Sequence, residues 1–157
     1  MKENLILALK MGIAGVVSIF IANLLKLPQG YWAAFSAFVV LGSDMRTTLK
    51  ASADRLLGTA IGAFLGGVFA YFWGGHLLLF GLAIVLTVLI CEVLGLGQSY
   101  RLACVTVALV MLISNSGSPW SIALHRFLEV SLGIVVGVII SAVPPKPTKA
   151  VQETSKP

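Results

Sequence analysis

The sequence predicts an all-α polytopic membrane protein with six transmembrane helices arranged as two inverted three-helix repeats. Of the 157 residues, 58% are hydrophobic and only 11% are charged, whereas soluble domains carry about 25% charged residues. Several apolar segments approach the roughly 20 residues that a membrane-spanning helix requires. The two halves of the chain also resemble each other in the placement of arginine and glycine.

Six apolar segments are the predicted spans. They are Leu5–Leu25, Tyr31–Ser43, Leu56–Phe72, Leu77–Leu94, Leu102–Ser114 and Phe127–Val143. The connections between them are too brief for a second domain, so residues 1–143 are expected to form one transmembrane domain. Residues 144–157 are rich in proline and lysine and are expected to be a disordered cytoplasmic tail.

The basic residues predict the orientation, since short cytoplasmic loops accumulate lysine and arginine. With the N-terminus inside, the basic positions that fall on the cytoplasmic side are Lys2, Arg46, Lys50, Arg55, Arg101, Lys146, Lys149 and Lys156. We therefore expect a multi-pass protein of the inner (cell) membrane with both termini cytoplasmic. The net charge of +5 then reflects topology and anionic lipid, so the bilayer is the expected partner and nucleic acid is not.

An internal repeat relates residues 5–73 to residues 76–143. An offset of 71 aligns Arg55 with Arg126, and it also aligns Ser43-Asp44 with Ser114-Asn115, Leu57 with Leu128, Gly62 with Gly133 and Gly66 with Gly137. Each half has three predicted spans, an odd number, so the second copy enters the membrane from the opposite side. Inverted repeats are common in transporters, where short segments at matching positions point to the substrate site.

Here the short segments are the second and fifth spans, which end in Ser43-Asp44 and Ser114-Asn115. Small polar residues at these positions either cap helices or line a wet cavity, and the sequence leaves both interpretations open.

Two glycine stripes predict close helix packing. Gly58, Gly62 and Gly66 are spaced four residues apart, and Gly133 and Gly137 repeat that spacing. Small residues at this interval let neighbouring backbones approach closely within a membrane. A phosphate-binding loop is not expected, because no Gly-Lys-Ser/Thr follows the first glycines.

The run from Tyr31 to Gly67 resembles the signature of the fusaric acid resistance and aromatic acid exporter (FUSC-like) family. That signature reads Tyr-Trp-Ala, an apolar span, a polar linker and then Arg-Leu-x-Gly-Thr-x-x-Gly. The matching residues are Tyr31, Trp32, Arg55, Gly58, Thr59 and Gly62. The resemblance implies a helical bundle that exports organic or aromatic carboxylates, usually as a dimer of such bundles.

An aromatic carboxylate needs aromatic surface and a guanidinium that can hold the carboxylate at two points. Tyr31, Trp32, Arg55 and Arg126 supply these groups. Trp32 is also compatible with an anchor at the membrane interface, and Arg55 with a positive residue at the cytoplasmic end of a span.

Arg126 lies on the outer side, where positive charge is usually avoided. If a helix begins near Pro119, Arg126 lies about 10 Å along it, with Glu129 one turn onward as a partner. If the two halves match strictly, residues 119–125 form an interfacial helix and Arg126 lies at the outer boundary. A substrate ligand and a snorkelling side chain both fit this position.

These observations favour a transporter of small organic anions, and the interior-negative potential favours export, by about 2.3 kcal/mol per charge for each 100 mV. The alternative is a non-transporting membrane subunit, packed with a second copy or with a partner bundle. An enzyme is not expected, because the six acidic residues are scattered. Cys91 and Cys104 lie in apolar stretches without metal-ligand spacing, so neither a metal nor another cofactor is expected.

Overall fold

The computed structural model describes residues 2–42, 44–74, 76–96, 99–113 and 118–143, most of which lie in six helices. The helices are α1 (Lys2–Leu24), α2 (Tyr31–Val40), α3 (Met45–Trp73), α4 (Leu77–Val93), α5 (Ser99–Ile113) and α6 (Pro119–Ala142). The described ranges contain no β-strand. The all-helical prediction is confirmed.

Several helices have bounds that differ from those of the predicted spans. Four helices begin earlier than their predicted spans: α1 at Lys2, α3 at Met45, α5 at Ser99 and α6 at Pro119. The spans were bounded by apolar content, but backbone hydrogen bonds form equally well through polar residues such as those that open α3. Proline is also well suited to the first turn of α6, where its missing N–H is not needed. By contrast, α2 is shorter than its predicted span, because it ends at Val40 rather than Ser43.

Three helices are long and apolar enough to cross a membrane: Leu5–Leu24 of α1, all of α3 and all of α6. The other three helices are shorter: α2 has 10 residues, α4 has 17 and α5 has 15. At about 1.5 Å per residue, α2 extends only about 15 Å, half of the roughly 30 Å hydrocarbon core.

The helices pack as a bundle in which α3 contacts α5 and α6, while α2 contacts α6 and α1. Two glycines lie at the closest approaches. A methyl group on Gly62 would collide with the Ala103 carbonyl of α5, and one on Gly133 would collide with the Ala33 carbonyl of α2. These helix pairs therefore approach as closely as their backbones allow.

The remaining glycines of the two stripes lie in the same two interfaces. Gly58 and Gly66 of α3 face α5, and Gly137 of α6 faces α2. Gly66 contacts Val107 and Val110, whereas Gly137 contacts Ala37 and Val40. The α3–α5 and α6–α2 interfaces thus have the same construction.

Large apolar side chains cover the outside of the bundle. On α4 alone, Leu78 is 89% exposed and Val93 is 87% exposed. The buried core contains mainly alanine and valine, with a few larger side chains such as Met111. Exposed apolar area costs about 25 cal/mol per Å² in water, so this surface fits a lipid environment.

We expect Gly62→Ala to destabilise the bundle, because the added methyl group meets the Ala103 carbonyl. Overpacking of this kind typically costs about 1–3 kcal/mol. Gly81→Ala in α4 is the control: nothing lies within 4 Å of the added group, and alanine is the better helix former by about 1 kcal/mol. Thermal unfolding in detergent measures both variants. Equal melting temperatures for the two would mean that Gly62 is not a contact position.

Candidate functional site

Arg55 is buried in the interior of α3. It lies ten residues after Met45, about 15 Å along the helix, and its side chain is 4% exposed. Its Nε donates a hydrogen bond to Ser36 Oγ at 3.1 Å, and its guanidinium carbon lies 5.1 Å from the centre of the Phe35 ring. Arg55 therefore lies inside the bundle, on a helix that begins ten residues before it.

Arg126 is buried in α6, about 10 Å from the helix start at Pro119, and it is 3% exposed. Its Nη1 pairs with Glu129 Oε2 at 3.4 Å, and its Nη2 donates to Gln29 Oε1. The expected partnership with Glu129 is confirmed. Residues 119–125 belong to α6, which is continuous from Pro119 to Ala142, so they do not form a helix of their own.

Each guanidinium group faces one ring of an aromatic pair on α2. The Trp32 and Phe35 rings meet edge to face with their centres 5.6 Å apart. The Arg126 guanidinium carbon lies 4.6 Å from the centre of the Trp32 ring, while Arg55 lies over Phe35. Because ring faces carry negative electrostatic potential, they stabilise both cations.

Both arginines and both rings line one cavity of about 160 Å³, which we term the inner cavity. Its full lining is Trp32, Phe35, Arg55, Thr59, Leu102, Val105, Thr106, Leu109, Arg126 and Val130. The Trp32 indole Nε1 is buried and has no hydrogen-bond acceptor in the part of the chain that the structure describes. The inner cavity therefore combines two cations, aromatic surface and an unused donor on a residue that lines it.

The inner cavity carries an excess of positive charge. Among the described residues the single ion pair joins Arg126 to Glu129, and no carboxylate pairs with Arg55. Two guanidinium groups and one carboxylate leave one positive charge without a counter-charge. Burial of an unpaired charge is costly, especially within a membrane, so this excess charge needs an explanation beyond packing.

A second, larger cavity of about 290 Å³ borders the first, and we term it the outer cavity. Its lining is Pro28, Gln29, Ile113, Ser118, Ser121, Ile122, His125, Arg126 and Glu129. Arg126 lines both cavities.

The other predicted site residues lie elsewhere. Tyr31 is 58% exposed, donates its hydroxyl hydrogen to Gln29 Oε1 at 3.0 Å, and lines neither cavity. Asp44 is the exposed N-cap residue of α3 and accepts a hydrogen bond from the Thr47 hydroxyl. Ser43, Ser114 and Asn115 lie outside the described residues.

Sequence reasoning missed Phe35, Ser36 and Gln29. Phe35 and Ser36 follow Trp32 by three and four residues, the spacing that places side chains on one helical face. A serine in the otherwise apolar α2 was the available signal. Gln29 lies in the connection before α2, and no local pattern indicates its contact with α6.

Comparison with known proteins identifies the family. The fusaric acid resistance protein-like family matches residues 17–140, a range that contains every residue lining the two cavities. The chain belongs to this family. Together with the apolar helices, family membership indicates a membrane protein. No solved structure is significantly similar to the chain.

Members of UPF0421 are among the relatives of this chain. It is 27% identical over 149 residues to the UPF0421 protein YgaE of Bacillus subtilis, covering 92% of this chain and 42% of YgaE. It is 28% identical over 140 residues to the UPF0421 protein BH2644 of Halalkalibacterium halodurans, covering 88% of this chain and 39% of that protein. The chain thus spans about two fifths of these relatives.

We expect Ser36→Ala to lower the stability of this family member, because it leaves the buried Arg55 Nε without its acceptor. An unsatisfied buried donor costs about 1–3 kcal/mol, and more when the group is charged. Ser18→Ala in α1 is the control, since Ser18 is equally buried but its Oγ has no hydrogen-bond partner among the described residues. Thermal unfolding should separate the two variants. If Ser18→Ala lowered the melting temperature as much as Ser36→Ala, the role assigned to the Arg55 hydrogen bond would be contradicted.

Proposed function

We propose that this chain forms the membrane part of a transporter of organic carboxylates, aromatic ones in particular. The buried Arg55 guanidinium carries the proposal, because it has no carboxylate partner among the described residues and lines the inner cavity together with Arg126. The name of the family, which refers to resistance to an organic acid, points in the same direction.

The inner cavity suits a small aromatic carboxylate in size, surface and charge. A cavity of about 150 Å³ is large enough to hold benzene, and the inner cavity measures about 160 Å³. Trp32 and Phe35 offer ring surface, while a guanidinium can bind a carboxylate through two parallel hydrogen bonds. One monocarboxylate would also neutralise the single excess positive charge.

We further propose that the two halves are inverted repeats related by an axis through the inner cavity. An offset of 71 relates Arg55 to Arg126 and Thr59 to Val130, and all four residues line the cavity. An offset of 70 relates α2 to α5: Trp32 corresponds to Leu102 and Phe35 to Val105. The glycine contacts follow the same two offsets. Gly62 lies against Ala103 and Thr106 of α5, and its equivalent Gly133 lies against the equivalent residues of α2, Ala33 and Ser36.

The proposed direction is export through an inner membrane, with both termini cytoplasmic. A carboxylate that leaves a negatively charged interior gains about 2.3 kcal/mol per 100 mV. The proposed assembly is a homodimer or a complex with a partner bundle.

We expect Arg126→Gln and Arg55→Gln each to weaken carboxylate binding. A hydrogen bond to a charged group is worth about 1.5–3 kcal/mol, which corresponds to a roughly ten- to hundredfold loss of affinity. Lysine at either position should restore only part of the affinity, because a point charge cannot reproduce the two-point contact. Efflux of labelled benzoate from proteoliposomes, measured over a range of concentrations, gives the apparent affinity.

Arg101→Gln is the matched control for these variants. Arg101 is exposed on α5 and its guanidinium faces Tyr100, so its loss should leave benzoate affinity unchanged. Normal efflux by correctly inserted Arg55→Gln and Arg126→Gln would exclude both arginines as ligands. If the wild-type protein inserts but moves no benzoate, the chain is better explained as a subunit that packs with a partner bundle.

The proposed topology predicts the side from which single cysteines are labelled. In a variant without Cys91 and Cys104, a cysteine at Asp44 should react with an impermeant maleimide only from the cytoplasmic side. Cysteines at His76 and Ser118, both exposed in the structure, should react only from the outside. Cytoplasmic labelling at Ser118 would overturn the inverted-repeat proposal.

A further inference from the structure

The Glu129 carboxylate accepts hydrogen bonds from two different donors. Its Oε1 accepts a hydrogen bond from the Gln29 backbone N–H at 2.9 Å, and its Oε2 pairs with Arg126 Nη1 at 3.4 Å. Glu129 is 1% exposed. A guanidinium and a backbone amide thus converge on one carboxylate, the combination of donors that forms strong charge-assisted hydrogen bonds.

Both donors belong to residues that line the outer cavity, and one of these residues, Arg126, also lines the inner cavity. Glu129 lines the outer cavity as well. Gln29 is held against α6 by a further contact, because its side-chain oxygen accepts a hydrogen bond from Arg126 Nη2. An anion that moves from the inner cavity to the outer cavity along Arg126 reaches these donors.

We propose that Arg126 Nη1 and the Gln29 backbone N–H form a second carboxylate subsite, which Glu129 occupies in this structure and which a substrate monocarboxylate takes over in transit. This inference rests on the proposed transport function and adds a step to it. The substrate makes the two hydrogen bonds that Glu129 makes, and the displaced Glu129 side chain turns into the outer cavity. No covalent bond changes.

A carboxylate of the protein that competes with the substrate, here Glu129, can assist transport because a carrier must also release its substrate. Binding has to be favourable enough for entry and weak enough for exit. Glu129 opposes tight binding at Arg126, and it restores the charge balance of the guanidinium when the anion leaves. Since differences in affinity among variants of one site appear mainly in the dissociation rate, the competitor accelerates release.

The test is Glu129→Gln in the full chain, with benzoate as the probe. Glutamine retains an oxygen that can accept from the Gln29 N–H but loses the negative charge that holds Arg126. Benzoate should bind the variant roughly ten- to hundredfold more tightly in calorimetry, and its efflux from proteoliposomes should be slower at saturation. Benzamide, which has the same shape without charge, should show no such gain.

Glu92→Gln is the matched control, because Glu92 is exposed on α4 and lines neither cavity. Glu129→Asp is a second variant, which keeps the charge but withdraws the carboxylate by one methylene; it should tighten benzoate binding by a smaller factor. This variant decides the question if Glu129→Gln does not fold.

Unchanged or weaker benzoate binding in the folded Glu129 variants would overturn the second subsite, leaving Glu129 as a residue that positions Arg126. That result is distinguishable from failure of the proposed function. In the first case the wild-type protein binds and moves benzoate, and in the second it does neither.

Discussion

The arrangement of this protein depends on close backbone contact at two glycines. Gly62 allows α3 to lie directly against α5, and Gly133 allows α6 to lie directly against α2. Because α3 and α6 also contact each other, these interfaces bring four helices together around the inner cavity. Larger side chains at either glycine would separate the helices, and the arginines of α3 and α6 would no longer meet the same aromatic pair.

Burial of two arginines in an apolar bundle requires compensation, and α2 supplies most of it. Ser36 accepts from Arg55, Phe35 and Trp32 present their rings to the two guanidinium groups, and the connection before α2 contributes Gln29 to Arg126. Only Arg126 also has a carboxylate partner among the described residues. The resulting imbalance of one positive charge is the feature of the site that packing alone does not explain.

Sequence patterns predicted those parts of the fold that depend on local composition. The six helices follow from apolar segments, and Glu129 was identified as the partner of Arg126 because side chains three residues apart share a helical face. The apolar segments matched the starts of α2 and α4, but the other four helices begin earlier, since apolar content marks where lipid could lie and not where hydrogen bonding begins. Arg55 accordingly lies within α3 rather than at its start. The contacts of Gln29 with Arg126 and Glu129, about 100 residues away in sequence, depend on tertiary packing and leave no local signal.

The site also differs between the halves in a way that bears on the proposed symmetry. If α2 and α5 are equivalent, the aromatic residues Trp32 and Phe35 correspond to Leu102 and Val105, so only α2 offers ring surface. Both guanidinium groups accordingly turn toward α2, although Arg55 belongs to the helix that packs closely on α5. Under the proposed symmetry the backbone would form a symmetric cavity, while ring surface is confined to the wall that α2 forms. An aromatic carboxylate bound there would contact one aromatic wall and one aliphatic wall, with a cation from each half beside its carboxylate.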